Sequence, residues 1–125
     1  MIRVFDLERS LSFYLNCFGL SVAHRLDFPG FSLVYLRNAE NDAEIELTYN
    51  KDRDTPYTHG DGYGHVGVCV DDVPKEKLRL QNLGYTPQEI KEFKAGDGTL
   101  IARYFFIQDP DGYKIEVLER HGHYQ

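Results

Sequence analysis

Three residues stand where polar side chains are costly. Glu46 lies between Ile45 and Leu47, Glu116 lies between Ile115 and Val117, and His65 is expected inside the strand that continues as Val66–Val70. A carboxylate inside an apolar strand is expensive unless something pairs it. Strand alternation sends Glu44, Glu46, Thr48 and Asn50 to one face and Ile45, Leu47 and Tyr49 to the other. The same rule groups Tyr63, His65, Gly67 and Cys69 opposite Val66, Val68 and Val70. One imidazole and two carboxylates form a hard-to-borderline donor set suited to Ni²⁺, Co²⁺, Zn²⁺, Mn²⁺ or Fe²⁺. A lone strand glutamate is usually an edge charge, and a lone strand histidine is usually a hydrogen-bonded one. What lifts Glu46 and Glu116 above that is their matching place in two half-chains.

The elements that position them come from an internal repeat. Residues 2–20, IRVFDLERSLSFYLNCFGL, and residues 66–85, VGVCVDDVPKEKLRLQNLGY, follow one plan. Each opens with a β-branched run ending in Val4 or Val70 and continues with an acidic helix-start signal, Asp6 or Asp71-Asp72. Each helix stops at a glycine, Gly19 or Gly84. Val4 to Gly19 is 15 residues and Val70 to Gly84 is 14. Leu7, Leu11, Tyr14 and Phe18 form the apolar face of the first helix, and Val73, Leu80 and Leu83 that of the second, with Pro74 in its first turn. Strands are expected at 21–27, 31–37 and 43–49, then at 85–90, 99–107 and 113–119. Turns are expected at Asp27-Phe28-Pro29-Gly30 and Asp109-Pro110-Asp111-Gly112. Each half thus reads as β-α-β-β-β. The expected organisation is one α+β domain over 1–125, with module 1 at about 1–50, a polar connector at 51–62 and module 2 at about 63–120.

Composition narrows the function. A net charge of −6 leaves no basic patch for phosphates, so nucleic acid and anionic membrane are not the expected partners. The two cysteines, Cys17 and Cys69, match no metal-binding spacing and read as buried free thiols. No stretch approaches a membrane span or opens as a secretory signal, so a cytoplasmic location is the default expectation.

Ile45-Glu46-Leu47-Thr48-Tyr49-Asn50, Gly62-Tyr63-Gly64-His65 and Asp109-Pro110-Asp111-Gly112-Tyr113-Lys114-Ile115-Glu116 together resemble the glyoxalase I (lactoylglutathione lyase) family of the vicinal-oxygen-chelate, or glyoxalase–bleomycin-resistance, superfamily. The segment Asp6–Tyr14 is similar to that family's opening helix, so the resemblance covers essentially the whole chain. Asp-Pro-Asp-Gly is common to the superfamily, whereas Glu-Leu-Thr-Tyr-Asn is more particular to glyoxalase I. The resemblance implies two βαβββ modules forming a curved, open mixed-sheet barrel. It also implies a homodimer with sites built from both chains, and Glu46, His65 and Glu116 as metal ligands. It places Arg3 and Asn50 at the glutathione part of the substrate, and Lys94, in the loop Lys91–Gly96, near the thiol's carboxylate. The short loops resemble forms that prefer Ni²⁺ or Co²⁺, with Zn²⁺ also possible. The implied reaction is metal-dependent isomerisation of a methylglyoxal–thiol hemithioacetal to an S-D-lactoyl thioester. A divalent cation chelates the two adjacent oxygens and stabilises the enediolate, with Glu116 as the base and Glu46 the opposite candidate.

Two departures stand out. The family uses four protein ligands, two from each half. His65 lies five residues before Val70, and five residues before Val4 falls two places ahead of Met1. Three readings compete: a natural start upstream of Met1, a site with three protein ligands plus water, or substitution by His121 or His123. The first is preferred, because the opening strand is also shortened. The second departure is Asp61, where animal members carry an arginine that contacts glutathione; a related, less anionic thiol is then conceivable. Two kinds of rival remain. A dioxygenase needs two histidines and one carboxylate, and a thiol transferase fits less well with Glu-Leu-Thr-Tyr-Asn. A metal-free binding module would explain the missing ligand.

Overall fold

The computed structural model describes residues 1–125 as two compact units, Met1–Gly60 with Asp109–Gly112, and Asp61–Gln108 with Tyr113–Gln125. The first unit contains β1 (Ile2–Val4), α1 (Leu7–Phe18), β2 (Ser21–Asp27), β3 (Phe31–Arg37) and β4 (Ile45–Asn50). Its sheet has the order β1-β4-β3-β2, with β1 parallel to β4 and the other pairs antiparallel. The helix begins where the sequence signals it. Asp6 sits in an extended conformation and its carboxylate accepts the Arg9 N–H at 3.1 Å. It ends at Gly19, whose φ of 64° belongs to the left-handed region and whose N–H closes onto Leu15.

Val4, Leu7, Phe13, Tyr14, Cys17, Val34, Leu36 and Leu47 form the core of this unit. Phe13 and Cys17, together with Ser10, belong to the buried helix face, whereas Leu11 and Phe18, expected there, are half-buried. The turn Asp109–Gly112 closes the unit with polar contacts. Tyr14 Oη donates to the buried Asp109 Oδ2 at 2.9 Å, and Asp111 accepts from the Phe5 N–H at 2.8 Å and from Ser10 Oγ at 3.3 Å. A buried carboxylate needs such donors. Tyr14→Phe is therefore expected to lower stability by about 1–3 kcal/mol, read from the urea midpoint at unchanged slope.

The second unit contains β5 (Val66–Val70), α2 (Val73–Asn82), β6 (Lys91–Lys94), β7 (Leu100–Gln108) and β8 (Lys114–Glu119) in the sheet order β5-β8-β7-β6. Asp72 caps α2 by accepting the Lys75 N–H at 2.8 Å, and Glu119 accepts the Val73 N–H at 3.2 Å. Val73, Leu80, Ala102, Phe105, Ile107, Ile115, Val117 and Leu118 form its core. Leu83, expected on the buried face, lies beyond the last helical turn and is exposed. Cys17 is a buried free thiol as expected, while Cys69 is only half-buried.

Each unit realises β-α-β-β-β, and the registers match. Ile2 pairs with Leu47 as Val68 pairs with Val117, and Val4 pairs with Tyr49 as Val70 pairs with Glu119. Glu46 and Glu116 are therefore equivalent, Met1 corresponds to Gly67, and the counterpart of His65 falls two positions ahead of Met1. The strand expected at 85–90 is not formed. Pro87 has no N–H to give a ladder, and Gln88 N–H to Phe106 O, at 2.8 Å, is the backbone bond that this stretch sends to β7. The strand comes later, at Lys91–Lys94, as an exposed edge whose charges read as a loop. No helix is long and apolar enough to cross a membrane.

Candidate metal centre

Glu116 is carried by β8 on the face opposite Ile115 and Val117, which are 3% and 0% exposed. Its partner on β5 is Gly67, and the Leu118 side chain reaches into the space that a side chain there would take. His65 immediately precedes β5 rather than lying within it. The chain reaches that point through Tyr63, whose hydroxyl donates to Lys114 O at 2.9 Å and whose ring meets Tyr113 edge-on at 5.1 Å. The His65 ring stands edge-on to Phe106 at 5.3 Å, and its Nε2 lies 3.2 Å from Glu116 Oε2. The His65 side chain is 45% exposed and that of Glu116 16%, so a small ion has access to both donor atoms.

Glu46 belongs to the other unit. It sits on β4 beside the buried Leu47, and Thr48 Oγ1 donates to its Oε1 at 3.2 Å. Across the ladder it faces Tyr35 of β3. Arg3 pairs in register with Thr48, so it shares the Glu46 face, and Asn50 follows on the same face at the end of β4. Asn50 is already engaged: its amide donates to Tyr57 Oη at 2.7 Å, and the Arg53 guanidinium lies 4.5 Å over the Tyr57 ring. Lys94 is not in a loop but closes β6, ion-paired with Glu92 at 2.9 Å. Lys94, with Arg103 behind it, holds the Glu92 carboxyl below the usual carboxylate range.

The structure thus brings His65 and Glu116 together and holds Glu46 with Arg3 and Asn50 on a separate sheet. No group of three or more His, Cys, Asp or Glu side chains that could hold a metal is gathered within the chain. The donors present fit a divalent cation in kind. An imidazole nitrogen and a carboxylate oxygen 3.2 Å apart can both reach one ion. Sequence reasoning missed Tyr35, Tyr57 and Phe106. Tyr35 and Phe106 signal only as cross-strand neighbours, once strand register is known, and Tyr57 lies in the connector after β4.

Two units of β-α-β-β-β, each with a carboxylate at the same point of its last strand, define a fold of tandem modules built around polar groups on sheet faces. The chain belongs to the Glyoxalase/Bleomycin resistance protein/Dioxygenase superfamily, whose profile matches residues 1–117. It is 41% identical to the lactoylglutathione lyase of Haemophilus influenzae, over 95% of this chain and 88% of that protein. Among solved structures, the trypanothione-dependent glyoxalase I of Leishmania major is 34% identical with a TM-score of 0.73, covering 95% of this chain and 82% of that one. Glyoxalase I from Zea mays is 31% identical with a TM-score of 0.79, covering 96% of this chain and 43% of that one.

Proposed function

We propose that this chain is a lactoylglutathione lyase, a metal-dependent lyase of the glyoxalase I type. Its reaction converts the hemithioacetal of methylglyoxal and a thiol into an S-D-lactoyl thioester. The observation that carries this reading is likeness at 41% identity over 95% of the chain to a lyase of that name. The paired donors His65 and Glu116, and the equivalent Glu46, support placing the chemistry at these residues.

Glu46, His65 and Glu116 would hold the divalent ion, with Ni²⁺ or Co²⁺ favoured over Zn²⁺. A bound cation supplies electrostatic stabilisation of the negative charge that develops when a carbon-bound proton leaves. The protein's own part is proton movement and binding. Glu116 removes the proton from one carbon and returns it to the neighbour, with Phe106 as its cross-strand partner. Arg3 and Asn50 bind the peptide part of the thiol from the Glu46 face, and Lys94 attracts its carboxylate. The reading takes the site as shared between two copies of the chain in a homodimer, one giving Glu46 and the other His65 and Glu116.

The decisive assay is thioester formation from methylglyoxal with glutathione, followed by ultraviolet absorption, after loading with Ni²⁺, Co²⁺ or Zn²⁺ in turn. Turnover with Ni²⁺ or Co²⁺ exceeding that with Zn²⁺ is expected. Absence of thioester with every metal and with both glutathione and trypanothione would overturn the lyase reading in favour of a binding module.

A further inference from the structure

Glu46 and Glu116 hold equivalent positions in their sheets, yet their surroundings differ. Glu46 faces Tyr35 across β3, and Thr48 two residues along its own strand donates to it. The Tyr35 hydroxyl hydrogen-bonds the same carboxylate. Partial desolvation, that bond and the charges of Glu46 and Glu44 raise the Tyr35 phenol above its ordinary pKa. Glu116 faces Phe106 instead, and Leu118 stands where Glu46 has Thr48. Neither Phe106 nor Leu118 offers a hydrogen-bond donor; the ring that meets Glu116 is His65. One carboxylate is therefore gripped by two hydroxyls, and its twin by none.

Tyr35 is itself confined. Val34 and Leu36, its neighbours on β3, are fully buried on the opposite face, which fixes the side from which the phenol projects. On β2 its register partner is His24, and the two rings lie 6.0 Å apart and tilted by 33°. The row His24, Tyr35, Glu46 crosses three adjacent strands on one face of the sheet.

We propose that Tyr35 is a positioning residue: with Thr48, its hydroxyl fixes the Glu46 carboxylate in one orientation as a metal ligand. The proposal rests on the reading of Glu46 as a ligand. Its physical basis is general: donors behind a ligating carboxylate set its orientation, and their loss typically weakens metal binding 10- to 100-fold. A phenyl ring in the same place, as at Phe106, supplies no such restraint.

The test is Tyr35→Phe in the full chain, titrated with Co²⁺ against a competing chelator and examined by visible absorption. The expected result is about 10-fold weaker Co²⁺ binding, at the lower end of that range, with a shifted d–d band. Thermal unfolding without metal should be unchanged, and Thr48→Val added to Tyr35→Phe should weaken binding further. In turnover, kcat should fall while KM for the hemithioacetal holds. Wild-type Co²⁺ affinity and an unshifted band in Tyr35→Phe would overturn the role of Tyr35 alone. A wild-type chain that takes up no Co²⁺ would overturn the ligand reading of Glu46 as well, so the two failures are distinguishable.

Discussion

Glu116→Gln is expected to lower kcat by about 10²–10⁴-fold, the usual contribution of a positioned general base, while the chain still folds. The amide is nearly isosteric, and Ile115 and Val117 on the opposite face keep β8 packed, so the sheet has no reason to rearrange. What is lost is the oxygen that accepts the proton and the partner of His65 Nε2 at 3.2 Å. The variant is to be compared with wild type at saturating Ni²⁺, with bound metal measured on the same samples and far-UV circular dichroism as the check on folding. Near-normal turnover in a metal-loaded Glu116→Gln protein would remove Glu116 from the role of base. A loss of metal without loss of fold would identify it as a ligand first.

Mixing two inactive variants is expected to restore activity. Chains carrying Glu46→Gln and chains carrying Glu116→Gln each lack one of the carboxylates. If each site takes Glu46 from one copy and His65 with Glu116 from the other, a mixed dimer concentrates both lesions in one site and leaves the second intact. Equal parts, denatured together and refolded, give half mixed dimers at random pairing, so roughly a quarter of wild-type activity returns. If all ligands came from a single copy, no mixture would exceed its components. Glu46 lies in one unit and His65 with Glu116 in the other, so the two lesions fall in separate units.

Much of the fold was legible because local chemistry and tertiary structure agree. Asp6 and Asp72 both cap helices, Gly19 adopts the left-handed conformation expected of it, and the strands at 21–27 and 31–37 fall where alternation and turn residues place them. The failures have physical reasons. Residues 85–90 carry β-like residues, but Pro87 removes a ladder donor, and the strand forms downstream from a charged stretch whose alternation was masked by two lysines and a glutamate. Leu83 fits the helical period but lies past the last turn. Glu46, His65 and Glu116 stood out as polar residues in apolar runs, and the repeat tied the first to the third. Tyr35 could not stand out, since its importance depends on β3–β4 register across the intervening loop, and period alone does not set that register.

The turn Asp109–Gly112 lies between β7 and β8 in sequence yet groups with the first unit. Its carboxylates receive Tyr14 Oη, Ser10 Oγ and the Phe5 N–H. A gene cut in the connector would therefore not yield two self-sufficient proteins. The amino-terminal fragment would lack the acceptors for its own helix and strand end, and its partner would carry a loop shaped to serve another body. The chain's two halves in sequence are therefore not its two units in space.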